Sequence, residues 1–346
     1  MKKIIFLVFL VSLSNLTSQS SVDCSSNLSI FAEYYKVKNY EAAYEPWMSV
    51  RKECPKINPA IYFQGSRMLD EFIKKSEGES KNAYQKDLLK LYDEWLINFP
   101  AYNGRSIVGQ IMSNKAQKMI DYKLASKSEI FTLFEDAYQT DPLSFDDPKP
   151  LYSYFKTYFE LYKDGENDIT LNQIFNKYEE LSERYNSIID DYSKQIDIII
   201  NKENSGIALT SREKRNKRAY EINSNASNIY LRNLNAIIAK ESTCENLIPL
   251  YRKNLEENKT NPVWLNRAAS RMDSKECSDD PLFVVLVELL HNLNPSANSA
   301  YYLGLLNDKK NNSEEALKFY NESIELETDN IKTVSYTHLR AHETHS

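Results

Sequence analysis

The amino-acid sequence predicts an all-α fold built from repeated helical hairpins, and two observations lead to this prediction. The same spacing of core residues recurs four times: a small or aliphatic residue, an aromatic residue four positions later, a third residue three further on, and a stop after five more. Steps of four and three keep such residues on one face of a helix, and in three segments the stop is a helix-blocking proline. The segments are Ala43–Trp47–Val50–Pro55, Leu88–Tyr92–Trp95–Pro100, Ile130–Phe134–Ala137–Pro142 and Ala316–Tyr320–Ser323–Thr328.

The first twenty residues have the composition of an export signal. Met1-Lys2-Lys3 is followed by the apolar run Ile4–Leu13, which is too short to span a bilayer. We therefore expect residues 1–20 to be a signal peptide, and the protein to be exported and periplasmic or envelope-associated. No later stretch is apolar enough for a membrane span in the mature chain.

The last residues, 334–346, are set apart from the fold. Val334–Thr344 resembles the translation of a transposase adapter used in DNA sequencing libraries, so we expect an artefact tail that replaces the natural continuation. Three of the four histidines lie in this tail (His338, His342 and His345), and their clustering is not taken as a metal site. We expect the preceding helix to end near Glu327 and to expose apolar surface around Tyr320 and Ile324.

Four cysteines remain in the mature chain, and an even number in an exported protein favours disulfides. Cys24–Cys54 and Cys244–Cys277 each bracket a helix–turn–helix, so both members of a pair fall at the same end of two antiparallel helices. A zinc site is the alternative, although the sequence has no CxxC motif and no histidine near the cysteines.

The repeated segments resemble the tetratricopeptide repeat. Gly65 follows Phe31 by 34 residues, the period of that family. The resemblance is carried by the small residues of Tyr40–Pro55, Glu135–Pro142 and Ala300–Glu327, and by the proline that closes the first two segments. The whole chain resembles an exported tetratricopeptide-repeat protein of the Bacteroidetes type, which implies a right-handed superhelix with repeats over residues 21–167 and 242–333.

The same resemblance explains three glycines inside helical patterns: Gly65, Gly109 and Gly304 would lie where two helices approach too closely for a side chain. It also implies a binding groove formed by the first helix of each repeat, on the face beside these glycines. That groove would contain Tyr62, Ser66, Leu69, Ser106, Gln110, Ser113, Tyr301, Leu305 and Asp308.

Residues 168–241 interrupt the repeats with a pattern of their own. From Leu171 to Ile199 apolar residues alternate by three and four, which predicts one long amphipathic helix. A second helix is predicted over Ser211–Lys240, giving a long inserted hairpin. Its inward residues are predicted to be Ala219, Ile222, Ala226, Ile229 and Ile237.

No pattern of residues predicts catalysis or a cofactor. The sequence lacks GxSxG, a Gly-rich phosphate loop and HExxH, and His291, the one histidine outside the tail, has no evident partner. The chain has 43 basic and 49 acidic residues, a net charge of −6 that argues against nucleic acid. The basic run Arg212–Arg218 is either a solvated helix face or a contact for an anionic polymer or lipid headgroup.

The sequence therefore predicts a non-catalytic scaffold that binds a protein or peptide in its groove, with no metal and no cofactor. A glycan-binding helical-repeat protein of a nutrient uptake system is the alternative, because exposed tyrosines also stack on sugars. An enzyme ranks third.

Overall fold

The structure is a computed structural model that describes residues 23–334, with side chains as far as Glu327. Within this range the fold is all-α, as predicted, with fourteen helices and a single two-stranded antiparallel hairpin. The predicted signal peptide and the tail after Val334 lie outside the described residues. The chain divides into two compact units, residues 1–157 and 158–346, called the N-terminal unit and the C-terminal unit below.

The N-terminal unit contains three helical hairpins and the short strands. Its elements are α1 Cys24–Lys36, α2 Tyr40–Glu53, α3 Ala60–Lys75, α4 Gly78–Asn98, β1 Ala101–Tyr102, β2 Arg105–Ser106, α5 Val108–Tyr122 and α6 Lys127–Thr140. A further helix, α7 Pro148–Lys163, contains the division between the units. The repeated spacing does not predict α7, because its buried residues Leu151, Tyr154, Phe155 and Leu161 follow another pattern.

The residues of the repeated spacing lie in the core of the N-terminal unit, as predicted. Ala43, Trp47 and Val50 have no exposed surface, and α2 ends at Glu53, just before Pro55. The indole Nε1 of Trp47 donates to the carbonyl oxygen of Ile61 at 2.8 Å, so the largest core side chain is also anchored to α3.

The packing role predicted for the three glycines is confirmed. A Cβ atom added at Gly65 would lie 2.6 Å from the indole Nε1 of Trp47, and one at Gly304 would overlap the ring of Tyr320. One added at Gly109 would overlap the backbone carbonyl of Asp141. Each glycine therefore marks a place where no side chain fits.

The C-terminal unit contains the long hairpin and five shorter helices. Its elements are α8 Leu171–Asn204, α9 Ser211–Ala239, α10 Cys244–Asn258, α11 Pro262–Ser274, α12 Pro281–Leu293, α13 Ala297–Lys309 and α14 Ser313–Val334. Start signals in the sequence act as expected: the side chain of Asp280 accepts from the N–H of Leu282, with Pro281 at the first helical position.

The long hairpin is confirmed, but the predicted register of α9 is wrong. Of the five predicted inward residues, Ile222 and Ile229 are 56% and 40% exposed and Ala219 is exposed as well, whereas Ala226 and Ile237 are partly buried. The buried residues of α9 are Ser227, Leu234 and Ile238. Apolar residues lie on two faces of α9. The buried face includes the polar residue Ser227, so a prediction from aliphatic residues alone selects the exposed face.

The predicted end of the last helix is also wrong. Instead of stopping near Glu327, α14 continues to Val334, since neither glycine nor proline occurs between these positions. The expected exposure of apolar surface on α14 is found: Leu317 and Ile324 are both 62% exposed.

Both predicted disulfides are present. Cys24 pairs with Cys54 and Cys244 with Cys277, with Cα atoms 6.2 and 5.5 Å apart. Cys24 opens α1 and Cys54 follows α2, while Cys244 opens α10 and Cys277 follows α11. Because all four sulfurs are bonded in pairs, the zinc alternative is excluded for these cysteines.

Each unit also holds an arginine, buried in the N-terminal unit and partly buried in the C-terminal unit, that stacks on an aromatic ring. In the N-terminal unit, Arg51 lies 5.0 Å from the ring centre of Trp47 and contacts Asp87 and Glu94 of α4 at 2.9 and 2.7 Å. These contacts tie α2 to α4, the second helices of neighbouring hairpins.

In the C-terminal unit, Arg271 of α11 lies 4.6 Å from the ring centre of Tyr178 and donates to Glu179 of α8 at 2.7 Å. Burial acts to lower the pKa of Arg271, but Tyr251 and Glu179 beside it raise that pKa above its usual value. The ion pair joins the long hairpin to the helices that follow it.

Candidate binding cleft

An open cleft of about 560 Å³ lies in the N-terminal unit, between α3, α4, α5 and the strands. Aromatic, basic, acidic and amide side chains all contribute to its wall. Its lining residues are Pro59, Phe63, Ser66, Arg67, Asp70, Tyr92, Trp95, Tyr102, Ile107, Gln110, Ile111, Asn114, Lys118 and Asp147. A second depression shares Tyr102, Ile107 and Gln110 with it and extends past Arg105 to Asp141 and Asp146, and the two neighbouring depressions together are called the groove.

The β-hairpin that separates the two parts of the cleft is formed by an Asn-Gly turn. Asn103 and Gly104 both have positive φ angles, 50° and 75°, as a tight two-residue hairpin requires. This turn places Tyr102, which is 52% exposed, between the two parts of the groove. The repeat pattern missed the hairpin, although the Asn-Gly dipeptide is a signal that could have found it.

Two aromatic rings, Tyr92 and Trp95, line one side of the cleft, and the buried ring of Tyr62 packs against Trp95. Trp95 stacks between Tyr62 and Tyr92, with ring centres 6.2 and 6.0 Å apart. Burial raises the pKa of Tyr62 to about 12, and its hydroxyl donates to the carbonyl of Pro55 at 2.9 Å. Burial, and then the nearby Asp70, raise the pKa of Tyr92 above its usual value, so both rings remain neutral and their contacts are structural.

The carboxylates around the cleft are used within the protein. Asp70 accepts from the hydroxyl of Tyr122 at 2.7 Å and forms an ion pair with Lys118, and Asp147 accepts from the amide of Asn114 at 2.6 Å. These contacts fix α5 against α3 and the chain after α6.

Asp141, below the strands, is held in the same way. It accepts from the hydroxyls of Ser106 and Ser144 at 2.6 and 2.5 Å and from the N–H of Gly109 at 3.5 Å. Burial acts to raise the pKa of Asp141, but these hydrogen bonds outweigh burial and lower it.

Two guanidinium groups in the groove, unlike its carboxylates, have no polar partner among the described residues that fixes them within the protein. Arg67, on α3, and Arg105, on β2, are exposed and form no ion pair with any described residue. The groove therefore presents aromatic surface and two guanidinium groups without an ion-pair partner in the described part of the chain, whereas Asp70, Asp141 and Asp147 already accept hydrogen bonds within the protein.

Of the nine residues predicted for the groove, three line it, three are buried in the core and three lie in the C-terminal unit. Ser66, Ser106 and Gln110 line the cleft or its extension. Tyr62, Leu69 and Ser113 have no exposed surface, so they belong to the core and are removed from the candidate site. Helical spacing places them beside the glycines, but the neighbouring helices cover that face.

The other three predicted residues lie in the C-terminal unit. Tyr301 is 47% exposed, Asp308 is exposed and Leu305 is partly buried, and the ring of Tyr301 lies 6.0 Å from that of Tyr320. The nearby depression of the C-terminal unit is lined instead by residues of α11, α12 and the start of α13, such as Val263, Leu290 and Asn298.

Sequence spacing missed Arg67, Trp95, Tyr102 and Arg105 as cleft residues. Three of these four come from α4 and the strands, which are outside the first helix of any repeat. Their positions depend on contacts between elements, such as that between Lys118 and Asp70, which are 48 residues apart.

Metal-binding clusters and the single described histidine were the remaining candidates for chemistry. No cluster of three or more His, Cys, Asp or Glu side chains could hold a metal ion between residues 23 and 327. His291 is partly buried and contacts the hydroxyl of Ser299 at 3.1 Å and Glu322 at 3.4 Å. Among the described helices, none is both long and apolar enough to cross a membrane.

Comparison with known proteins gives no further guide to function. No family model matches the chain, and no curated protein matches it either.

Proposed function

We propose that the protein is a non-catalytic, exported scaffold of the tetratricopeptide-repeat type that binds a protein or peptide segment in the N-terminal cleft. The observation that carries this proposal is the combination of exposed aromatic surface at Tyr102 with the unpaired guanidinium groups of Arg67 and Arg105. Aromatic residues and arginine dominate binding energy at protein interfaces. Peptide carbonyls and carboxylates are the acceptors that such donors require.

Export and the repeat class are supported by separate observations. Disulfides persist in oxidising compartments, and the two disulfides fit an exported protein. The close helix contacts at Gly65 and Gly304 fit the small-residue packing sites of the repeat family. Location in the periplasm or envelope follows from the predicted signal peptide and is part of the proposal.

The alternative ligand is a glycan. The exposed ring of Tyr102 favours it, because sugar rings stack on aromatic faces. The engaged carboxylates disfavour it, because Asp70, Asp141 and Asp147 already accept hydrogen bonds within the protein and have fewer lone pairs for sugar hydroxyls.

A display library of random peptides and a glycan array, both probed with the purified protein, would test the proposal. We expect selected peptides to bind, and Tyr102→Ala and Arg105→Ala each to weaken binding by about tenfold or more, as loss of an interface anchor does. Tyr34→Ala is the matched control, since Tyr34 is 40% exposed on α1 and outside the cleft.

Two results would contradict the peptide proposal. Glycan binding that Tyr102→Ala abolishes, without any peptide binding, would establish the alternative. Peptide binding that responds equally to Tyr34→Ala and Tyr102→Ala would place the site elsewhere.

A further inference from the structure

We propose that the turn between α8 and α9 docks on the surface of an anionic lipid bilayer. This turn and the helix ends beside it, residues 198–218, are called the hairpin tip. The proposal is independent of the N-terminal cleft, because the tip belongs to the C-terminal unit and uses none of the cleft residues.

The loop at the hairpin tip is apolar where turns are ordinarily polar. Its sequence after Gly206 is Ile207-Ala208-Leu209, and Ile207 is 53% exposed and Ala208 exposed. Ile198, one turn before Lys202 on α8, is 63% exposed. Turn loops are dominated by Gly, Asn, Asp, Ser and Pro, so an exposed isoleucine on each side of this turn is unusual.

A group of basic side chains surrounds this loop. Residues 202–218 include six basic and two acidic residues, in a chain whose net charge is −6. Both acids are neutralised locally: Glu213 by Lys202 at 2.5 Å and Glu203 by Lys217 at 2.6 Å.

Four cations of the tip therefore remain uncompensated. Arg212, Lys214, Arg215 and Arg218 are all exposed and form no ion pair with a described residue. The nearest other acidic residues, Asp197 and Glu221, flank this stretch and form no ion pair with it.

Helix stability does not explain this positive charge. Arg212 and Lys214 lie in the first turn of α9, at the positive end of the helix dipole, where cations are unfavourable. Glu213, between them, is held by the capping box with Thr210. The cations are thus placed where they weaken the helix, which favours a role in binding an anion.

The tip is also far from the other helices of its unit. The contacts of α8 with α10 and α11 come from Asn172, Glu179 and Glu183, near its N-terminal end. At the rise of an α-helix, Lys202 lies about 35 Å from Glu179. A bilayer could therefore approach the tip without meeting these helices.

An apolar loop beside uncompensated cations matches the headgroup layer and the acyl-chain layer of one bilayer surface. Headgroup phosphates would pair with the arginines and lysine, and Ile207 would enter the boundary of the acyl chains. A soluble polyanion would use the charges but leave the exposed isoleucines without a role, so lipid is the occupant that accounts for both.

Sedimentation with vesicles tests the proposal on the full chain. We expect binding to vesicles of phosphatidylcholine and phosphatidylglycerol in equal parts, and little binding to vesicles of phosphatidylcholine alone. Replacing Arg212, Lys214, Arg215 and Arg218 by Gln should weaken binding by about a thousandfold. Replacing Lys36, Lys38, Lys52 and Lys56, which are exposed in the N-terminal unit, is the matched control and should weaken it much less.

Insertion of the loop needs its own measurement. Ile207→Trp should gain fluorescence that brominated anionic lipids quench, whereas Ile97→Trp, at a residue that is 73% exposed on α4, should not. Circular dichroism of every variant confirms that the helices remain.

Three results would overturn the proposal. One is equal binding to both kinds of vesicle. Another is tighter binding to duplex DNA or polyglutamate than to anionic vesicles. The third is vesicle binding in which the indole at position 207 stays unquenched.

Discussion

The N-terminal unit and the α8–α9 hairpin both consist of helices in antiparallel pairs, yet α9 buries far fewer large side chains. In the N-terminal unit, Phe31, Trp47 and Tyr62 have no exposed surface and form one continuous core. In contrast, α9 buries only Ser227, Leu234 and Ile238 along its 29 residues. Short helices packed on several neighbours form a core of their own, whereas a long hairpin has one neighbour along most of its length.

Because α9 buries few apolar side chains, hydrogen bonds also hold it against α8. The hydroxyl of Tyr178 donates to Asn235 at 2.7 Å, and Asn223 contacts the hydroxyl of Tyr192 at 3.4 Å. Such hydrogen bonds contribute about 1 kcal/mol each, less than a buried large hydrophobic side chain. We therefore expect the two regions to differ in their response to truncation.

The largest effect should come from Trp47→Ala. This change leaves a cavity beside Gly65 and removes the bond to Ile61, and we expect a loss of about 3–5 kcal/mol in the free energy of unfolding. Urea unfolding followed by circular dichroism measures it. A loss no larger than that of Leu234→Ala in α9 would break the comparison between the two regions.

The corrected register of α9 gives the next test. Leu234→Ala removes one of the three buried side chains of α9 and should cost about 2–3 kcal/mol. Ile222→Ala is the matched control: it is more than half exposed and should change stability by less than about 0.5 kcal/mol. If Ile222→Ala cost more than Leu234→Ala, the originally predicted register would be right.

Gly304→Leu probes close helix packing in the C-terminal unit. The added side chain would overlap Tyr320, and overpacking of this kind costs about 1–3 kcal/mol. Asn298→Leu, at an exposed position of the same helix, is the control. An unchanged Tm for Gly304→Leu would mean that α13 and α14 can separate at no cost.

The smallest effect concerns the start of α9. Lys202, and then the N–H and hydroxyl of Thr210, lower the pKa of Glu213 to about 2. A lowered pKa means that the carboxylate stabilises the fold above its usual pKa and that this contribution is lost as pH falls toward 2.

We therefore expect the Glu213 carboxyl to titrate near pH 2 by NMR, and Lys202→Gln to move that pKa toward its usual value. Lys194→Gln, on the same helix, is the control because Lys194 pairs with Asp190 instead. Titration of Glu213 at its usual value in the unchanged protein would mean that the capping box is not formed.

The sequence could predict the N-terminal core because the residues of the repeated spacing are also the residues that are buried there. Trp47, Tyr92 and Phe134 occupy the same position of the repeated spacing, and each is buried against neighbouring helices. In α9 two stripes compete, and the buried one contains Ser227, which periodicity of apolar residues does not detect.

The candidate site was less predictable for a physical reason. Ser66 and Gln110 could be placed from helical spacing alone. Tyr102 and Arg105 reach the groove through the turn at Asn103-Gly104, which the Asn-Gly dipeptide could have indicated. Trp95 reaches it through contacts between helices that are distant in sequence, which no local pattern encodes.

The two disulfides have a consequence for the order in which the protein acquires its covalent structure. The partners are separated by 30 and 33 residues, and they follow one another along the chain as first with second and third with fourth. In a polypeptide that emerges N-terminus first, the native partner of Cys24 is the next thiol to appear, and Cys244 emerges only after that pair can close. The order of emergence therefore favours the native pairs over crossed ones.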